Sequence, residues 1–188
     1  MTQPQPSVSI EADIEEVLLS AGQIQARIQA LGDQISEDYD GKNPLLVGVL
    51  KGVIFFITDL LRVARIPLEV DFMAVSSYSP ELRQRGQVQL VKDLDIPIAD
   101  RHVLFVEDIV DTGLTLNYLL TNLRARGPAS LEVCALFNKP GHRLIDIPVR
   151  YLGFDLPDRF VVGYGLDYRE RYRNLPFVGV LKAEALKK

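Results

Sequence analysis

Three largely apolar runs divide the chain, at residues 44–50, 102–106 and 131–137. This pattern is typical of strands in a parallel sheet, because both faces of such a strand are buried. Residues 68–75 predict another strand, and the apolar–polar alternation of residues 87–92 predicts a half-exposed hairpin strand. The hydrophobic pattern therefore predicts a sheet with a buried centre and one partly exposed strand.

Helical periodicity separates these runs. Ser20 and Gln23 have the spacing of a capping box, and apolar residues follow them at intervals of three and four. These residues are Ile24, Ile28, Leu31 and Ile35. Residues 53–65 and about 115–126 predict two further helices. Strands that alternate with helices predict an α/β fold, with a mainly parallel central sheet and helices on both faces.

Short strands and turns rich in Gly and Pro follow residue 139, and they predict a small lobe. The strands are predicted at residues 149–154, 160–164 and 178–181. This part is too short to fold alone, so we expect a small C-terminal hood on the main sheet, formed largely by residues 140–188 with part of the N-terminal segment. We expect a single domain over residues 1–188, with residues 1–7 disordered.

The charge balance of the chain limits its partners. The 188 residues carry a net charge of -4. Because nucleic acids are bound by clustered Lys and Arg, we expect no nucleic-acid partner. No apolar run approaches the ~18 residues of a membrane span, and the start of the chain has no signal-peptide pattern, so we expect no membrane partner and a cytoplasmic location. The single cysteine, Cys134, lies in an apolar run and is expected in the core.

Acidic residues follow the second apolar run and indicate where the chemistry lies. Glu107 and Asp108 are predicted to follow the end of this strand, and Asp111 comes three residues later. Carboxylates do not contact phosphate directly, but they suit ribose hydroxyls and Mg²⁺. A helix cap whose acids merely complement the helix dipole is the alternative interpretation.

The next four residues are Thr112, Gly113, Leu114 and Thr115, at the predicted start of a helix. Backbone N–H groups and two hydroxyls at the positive end of a helix dipole can hold a phosphate, and Gly113 lets the backbone approach it closely. The glycine patterns of P-loop proteins and of dinucleotide-binding proteins are absent from the sequence. A phosphate-binding turn beside these acids predicts a site for a phosphorylated sugar.

Residues 106–115 resemble the phosphoribosyl-pyrophosphate signature of the hypoxanthine-guanine phosphoribosyltransferases. Further matches occur in family order and cover nearly all of residues 45–181. They are Leu50-Lys51-Gly52, Ser77-Tyr78, Lys139 and residues 160–173. One position departs from the pattern, because Leu114 replaces a polar or basic residue of some members, although its amide can still serve a phosphate.

The resemblance implies the type I phosphoribosyltransferase fold and an enzyme of purine salvage. Such an enzyme transfers the 5-phosphoribosyl group from phosphoribosyl pyrophosphate to hypoxanthine or guanine, giving IMP or GMP and pyrophosphate. The resemblance also implies Mg²⁺ as cofactor, a 6-oxopurine base as partner, and a homodimer or homotetramer. Two alternatives stay open: a xanthine- or guanine-preferring relative, and a regulatory protein of the same fold that binds phosphoribosyl pyrophosphate.

The resemblance assigns the catalytic step to Asp111, as general base or acid at N7 of the purine. It implies that one group of residues binds the phosphoribosyl moiety: Glu107, Asp108, Thr112, Gly113, Leu114 and Thr115. It implies that Lys51, Gly52 and Arg173 bind pyrophosphate, and that the Lys51–Gly52 peptide bond can be cis.

On the purine side, the resemblance implies that Lys139 donates to O6 of a 6-oxopurine and so selects against adenine, which carries an amino group there. Phe160 is expected to stack on the base and Val161 to contact it through backbone groups. Asp167 is expected beside the purine and pyrophosphate sites. The implied metal ligands are Glu107, Asp108 and Asp167.

Two further features complete the sequence analysis. Ser77 and Tyr78 begin a polar loop, residues 77–86, that matches the family's mobile lid. Closure of such a lid would exclude water from the reaction. His102 and His142 have no partners at metal-ligand spacing, so neither receives a role.

Overall fold

Within residues 10–76 and 89–187, which the computed structural model describes, the chain folds into two sheets and three α-helices. The strands are β1 Ile14–Leu19, β2 Leu45–Leu50, β3 Glu69–Ser76, β4 Gln89–Lys92, β5 His102–Val110, β6 Ser130–Asn138, β7 Tyr151–Asp155, β8 Val161–Val162 and β9 Val178–Leu181. The helices are α1 Ala21–Asp38, α2 Ile54–Val63 and α3 Leu114–Arg124, with 3₁₀ helices at Ile10–Asp13, Pro140–His142 and Ala185–Lys187.

The larger sheet has the strand order β4-β3-β2-β5-β6-β7 in the described residues. Neighbouring strands from β3 to β7 are parallel, and β4 is antiparallel to β3 at one edge. The three largely apolar runs form β2, β5 and β6, which are inner strands of this sheet. The predicted α/β fold with a mainly parallel sheet is confirmed.

Helices cover both faces of the larger sheet. On one face, α1 and α2 bury Ile24, Ile28 and Phe56 against a core that includes Leu104 of β5 and Leu136 of β6. On the other face, the apolar side of α3 packs against the same strands. The predicted capping box begins α1. Across the described ranges, none of the helices combines the length and the apolar character that crossing a bilayer requires.

The smaller sheet is antiparallel and has the order β1-β9-β8, and we call it the hood. It combines an N-terminal strand with two C-terminal strands, in line with the expected mixed origin of this lobe. Strand β7 departs from that expectation. It lies after residue 140 but pairs with β6 at the edge of the larger sheet, because Tyr151 and Phe154 align with Cys134 and Phe137.

Strand β5 is longer than the apolar run predicts. The run ends at Val106, but pairing with β6 continues to Val110. Glu107 and Asp108 therefore lie within the strand, and the prediction that they follow its end is wrong. Since neighbouring residues of a strand point to opposite faces of a sheet, the two acids have different surroundings.

Candidate active site

A cavity of about 430 Å³ lies where the carboxyl ends of β5 and β6 meet the hood. Seven predicted site residues line it: Asp108, Asp111, Lys139, Phe160, Val161, Asp167 and Arg173. Ligands of parallel α/β sheets bind at this end of the strands. The structure therefore brings the predicted purine residues together with some of the predicted sugar and pyrophosphate residues.

The turn between β5 and α3 has the geometry of an anion-binding loop. Gly113 has a φ of 82° and precedes the first residue of α3. No larger residue fits there without a shift, because an added Cβ would lie 2.6 Å from the carbonyl oxygen of Ile145. The first N–H groups of α3 have no acceptor within the helix and lie at the positive end of its dipole. Thr112, Leu114 and Thr115 flank this glycine beside the 430 Å³ cavity and do not line it.

The two adjacent acids of β5 differ in position, although both have raised pKa values. Burial raises the pKa of Asp108 to about 6, against the opposing effects of the Ile109 N–H and the positive charge of Arg173. Burial and the charge of Asp108 raise the pKa of Glu107 well above its ordinary value. Asp108 lines the cavity, whereas Glu107 is not among the residues that line it. This cavity therefore contains one of the two acids, and the binding of ribose by both acids stays a prediction.

The segment after β2 packs directly against the hood segment that follows β8. An added Cβ on Gly52 would lie 1.8 Å from Oδ2 of Asp108, and one on Gly165 would lie 2.2 Å from the carbonyl oxygen of Gly52. Only glycines permit backbones to approach this closely. The cis peptide bond joins Leu50 to Lys51. This corrects the expectation, which placed the cis bond at the following peptide.

Ion pairs connect the predicted pyrophosphate residues. Nη2 of Arg173 lies 2.7 Å from Oδ1 of Asp167, and Nη1 donates to the carbonyl oxygen of Gly165 over 2.7 Å. Oε2 of Glu170 lies 3.0 Å from Nζ of Lys51 and 3.4 Å from Nη2 of Arg173. The hydrogen bond from Lys51 lowers the pKa of Glu170. Glu170, which the sequence analysis did not identify, therefore joins the two predicted cations.

The base side of the cavity combines an ammonium group with an exposed aromatic ring. Lys139 is buried, and its Nζ donates to the carbonyl oxygen of Arg159 over 2.7 Å. Since an ammonium has three donors, this bond leaves capacity for a ligand. Phe160 is 48% exposed and packs edge-to-face against Tyr168, with 5.6 Å between ring centroids. Val161 is buried in β8 and contributes to the cavity wall.

The carboxylate of Asp111 contacts a histidine that received no role in the sequence analysis. Nδ1 of His142 lies 2.8 Å from Oδ1 of Asp111, and Nε2 of the same ring contacts Oδ1 of Asp158. His142 ends the 3₁₀ helix that follows Lys139. Its contact with Asp111 spans 31 positions of the chain, so local spacing carried no signal for it.

The predicted lid cannot be placed on this framework. Ser77 and Tyr78, with the polar loop to residue 86, lie outside the described residues. The lid function stays a prediction from the family resemblance.

The donors in the cavity suit a magnesium ion that is shared with a phosphate ligand. Asp108 and Asp167 line the same space, and the charge of Asp167 contributes to the raised pKa of Asp108. A divalent cation would offset this repulsion. Within residues 10–76 and 89–187, no three His, Cys, Asp or Glu side chains are grouped as a metal site. Mg²⁺ typically takes one or two carboxylates and completes its shell with substrate phosphates and water, so these two residues fit it.

Comparisons with known proteins agree with this arrangement. Residues 16–169 match the family model of the phosphoribosyl transferase domain. The chain is 50% identical over 187 residues to the hypoxanthine-guanine phosphoribosyltransferase of Mycobacterium avium, covering 96% of this chain and 92% of that protein. It is 49% identical to the enzyme of the same name from Streptococcus agalactiae serotype V, covering 95% and 99%. A crystal structure of a hypoxanthine phosphoribosyltransferase from Staphylococcus aureus aligns with a TM-score of 0.91 at 45% identity, covering 96% and 98%.

Proposed function

Because the chain belongs to the phosphoribosyltransferase family, we propose that its cavity joins a 6-oxopurine base to the ribose of phosphoribosyl pyrophosphate. The enzyme is a hypoxanthine-guanine phosphoribosyltransferase of purine salvage, and its products are IMP or GMP and pyrophosphate. One observation carries the proposal for the site: Lys139, Phe160 and Asp111 line the same cavity as Asp108, Asp167 and Arg173. A base and a phosphorylated sugar would therefore meet in one space.

The purine would be held by contacts on two sides. The ammonium of Lys139 would donate to O6, and the exposed ring of Phe160 would stack on the base. Asp111 would then accept the proton that leaves N7 as N9 bonds to C1 of the ribose. Adenine would present an amino group to Lys139, so donor would face donor, and adenine would be rejected.

The phosphoribosyl group would be held by the backbone and by cations. The turn at Gly113 and the first N–H groups of α3 would bind the 5′-phosphate. As the bond from C1 to pyrophosphate breaks, Lys51 and Arg173 would stabilise the charge on the leaving group. Asp108 and Asp167 would hold Mg²⁺, which would supply further charge neutralisation to the pyrophosphate oxygens.

A base-specificity assay tests this function. The purified protein is incubated with phosphoribosyl pyrophosphate, Mg²⁺ and one of hypoxanthine, guanine, xanthine or adenine, and nucleotide formation is followed by chromatography. We expect IMP and GMP, little AMP, and no product after chelation of the metal. Faster formation of XMP than of IMP and GMP would instead indicate the xanthine-preferring relative. If no base reacts while phosphoribosyl pyrophosphate still binds, the protein is a regulatory relative and the proposal fails.

The quaternary structure and the cellular location stay predictions. A homodimer or homotetramer is expected from the family resemblance, and light scattering after size-exclusion chromatography measures it. The cytoplasmic location is likewise expected from the sequence analysis alone, and fractionation of the source cells would test it.

A further inference from the structure

The proposed general base, Asp111, is contacted by a side chain from another segment of the chain. Asp111 lies in the turn between β5 and α3, and His142 ends the 3₁₀ helix after β6. Nδ1 of His142 approaches Oδ1 of Asp111 to 2.8 Å, which is hydrogen-bond distance. The segment that carries Lys139, on the purine side of the cavity, therefore also carries a histidine that contacts the proposed general base, Asp111.

Both nitrogens of the His142 ring contact carboxylates. Nδ1 contacts Asp111, and Nε2 contacts Asp158 in the loop between β7 and β8. An ionised carboxylate only accepts hydrogen bonds, so the hydrogen bond to Asp111 forms when Nδ1 of His142 carries a proton. The geometry therefore matches a ring that donates from Nδ1 to Asp111 and is contacted on its Nε2 side by Asp158.

The other charged groups of these segments have different partners. Lys139 donates to the carbonyl oxygen of Arg159, and Arg143 donates to Oδ1 of Asn138. Arg159 pairs with the acids of β1. In the described part of the chain, the charged groups that contact the His142 ring are therefore the carboxylates of Asp111 and Asp158.

We propose that His142 is a positioning residue for Asp111, and that Asp158 orients the His142 ring. A hydrogen bond from His142 fixes Oδ1 of Asp111 and so orients the carboxylate that must accept a proton from the purine. Oδ2 of Asp111 is then left to accept the proton of the purine. This inference rests on the proposed purine transfer, and it adds a residue that the reaction requires for the orientation of its base.

A double-mutant cycle tests this role. His142→Ala is measured for kcat and for KM of phosphoribosyl pyrophosphate, in the wild-type protein and in Asp111→Asn. We expect kcat to fall about tenfold in the first background, as for loss of a hydrogen bond to a charged group. We expect KM to change less than about twofold, because Asp111 does not bind pyrophosphate. In Asp111→Asn, the same substitution should leave kcat within about twofold, because no ionised base remains to be positioned.

The chain contains a matched control in its second histidine. His102 bonds Ser130 over 2.8 Å at the opposite end of β5, away from the cavity. His102→Ala should therefore leave kcat unchanged. An equal loss of kcat on His142→Ala in both Asp111 backgrounds, or no loss in the wild-type background, would overturn the positioning role.

Nuclear magnetic resonance tests the contact without relying on turnover or on the folding of His142→Ala. With two histidines in the chain, the ring nitrogens give two sets of signals in a ¹⁵N-labelled sample. Asp111→Asn should move the His142 signals and leave those of His102 in place. Unmoved His142 signals would overturn the inference even if the enzyme is active. A wild-type protein that forms no nucleotide would refute the proposed function separately.

Discussion

Lys139 is buried, and its ammonium group still has hydrogen-bond donors available for a ligand. Its ammonium donates one hydrogen bond to the carbonyl oxygen of Arg159. Lys139 and Phe160 both line the cavity. Burial of an ammonium is costly unless hydrogen bonds compensate it. A ligand with a carbonyl oxygen at this point would gain from the ammonium, and a ligand with an amino group would not, so we expect base selectivity to depend on this side chain.

Replacement of this lysine by a neutral amide should change the base preference. Lys139→Gln presents both a donor and an acceptor, so it discriminates poorly between a carbonyl and an amino group. We expect kcat/KM for hypoxanthine to fall by about tenfold to a hundredfold, and the rate with adenine relative to hypoxanthine to rise. Lys42→Gln, at an exposed lysine that contacts the Asp38 carbonyl oxygen, is the matched control. An unchanged ratio of adenine to hypoxanthine rates would remove Lys139 from the selectivity mechanism.

Individual residues of the cavity were predictable to different degrees. The cluster of Asp108, Asp111 and Gly113 is visible in the sequence because a strand, a turn and a helix start follow one another within a short segment. His142 and Glu170 were missed for the opposite reason. Asp111 lies 31 positions from His142 and Lys51 lies 119 positions from Glu170, so only the tertiary structure brings these pairs together.

At the scale of elements, Asp71 ties the edge strand region to β3. Its buried carboxylate accepts the backbone N–H groups of Phe72, Asp95 and Ile96 at 2.7–2.9 Å, and Nζ of Lys92 lies 3.4 Å away. Burial opposes ionisation of Asp71, but the backbone hydrogen bonds outweigh it and lower its pKa below the ordinary value. The ionised form is therefore the one that holds this segment in place.

The stability contributed by Asp71 should be lost in acid. A carboxyl whose pKa is lower in the folded state stabilises the fold above its unfolded pKa of about 3.9, and this contribution disappears as the pH falls below that value. We expect Asp71→Asn to reduce the free energy of unfolding by about 1–3 kcal/mol at pH 7, and the difference from wild type to shrink between pH 5 and 3.

Urea denaturation across this pH range measures the effect. Asp95→Asn is the control. The Asp95 side chain is 80% exposed, and it forms an ion pair with Lys92. A difference between wild type and Asp71→Asn that stays constant from pH 7 to pH 3 would contradict the role of the ionised carboxylate.

The elements themselves were largely predictable where burial dictates the pattern. The central residues of strands β2, β5 and β6 are apolar because both faces are covered by helices. The end of β5 was not predictable. Its acidic residues are typical of a loop, but pairing with β6 extends the strand through them. The placement of β7 in the larger sheet depends on the same neighbour, β6, and not on the local sequence.

At the scale of the whole molecule, the hood is attached to the main sheet at several points. Tyr164 donates to Asp59 of α2 over 2.6 Å, and Arg159 pairs with Glu15 and Glu16 of β1. Gly52 and Gly165 meet backbone to backbone at the edge of the cavity. Contacts from α2, β1 and the segment after β2 therefore hold the C-terminal part of the hood in place.

A methyl group at this junction should separate the two lobes. Gly165→Ala places a Cβ against the Gly52 carbonyl oxygen at a φ of 96°, whereas Gly127→Ala has a φ of 68° with no atom within 4 Å. In both variants an alanine must adopt a positive φ, which destabilises the fold. Gly127→Ala therefore measures this destabilisation alone. We expect Gly165→Ala to lose about 1–3 kcal/mol more in urea denaturation and to raise KM for phosphoribosyl pyrophosphate. Equal losses in the two variants would indicate that the close approach is unimportant.

Glu170 contacts both Lys51 and Arg173, and Asp167 also contacts Arg173, so the two cations that would bind a diphosphate have internal negative partners. Arrival of the substrate is then an exchange of counterions and not a simple addition. The binding free energy measured in a titration is then the difference between two sets of ion pairs. One set joins the cations to the protein's own carboxylates, and the other joins them to the diphosphate. Added salt weakens both sides of this exchange, so binding should tolerate ionic strength better than two unpaired cations would allow.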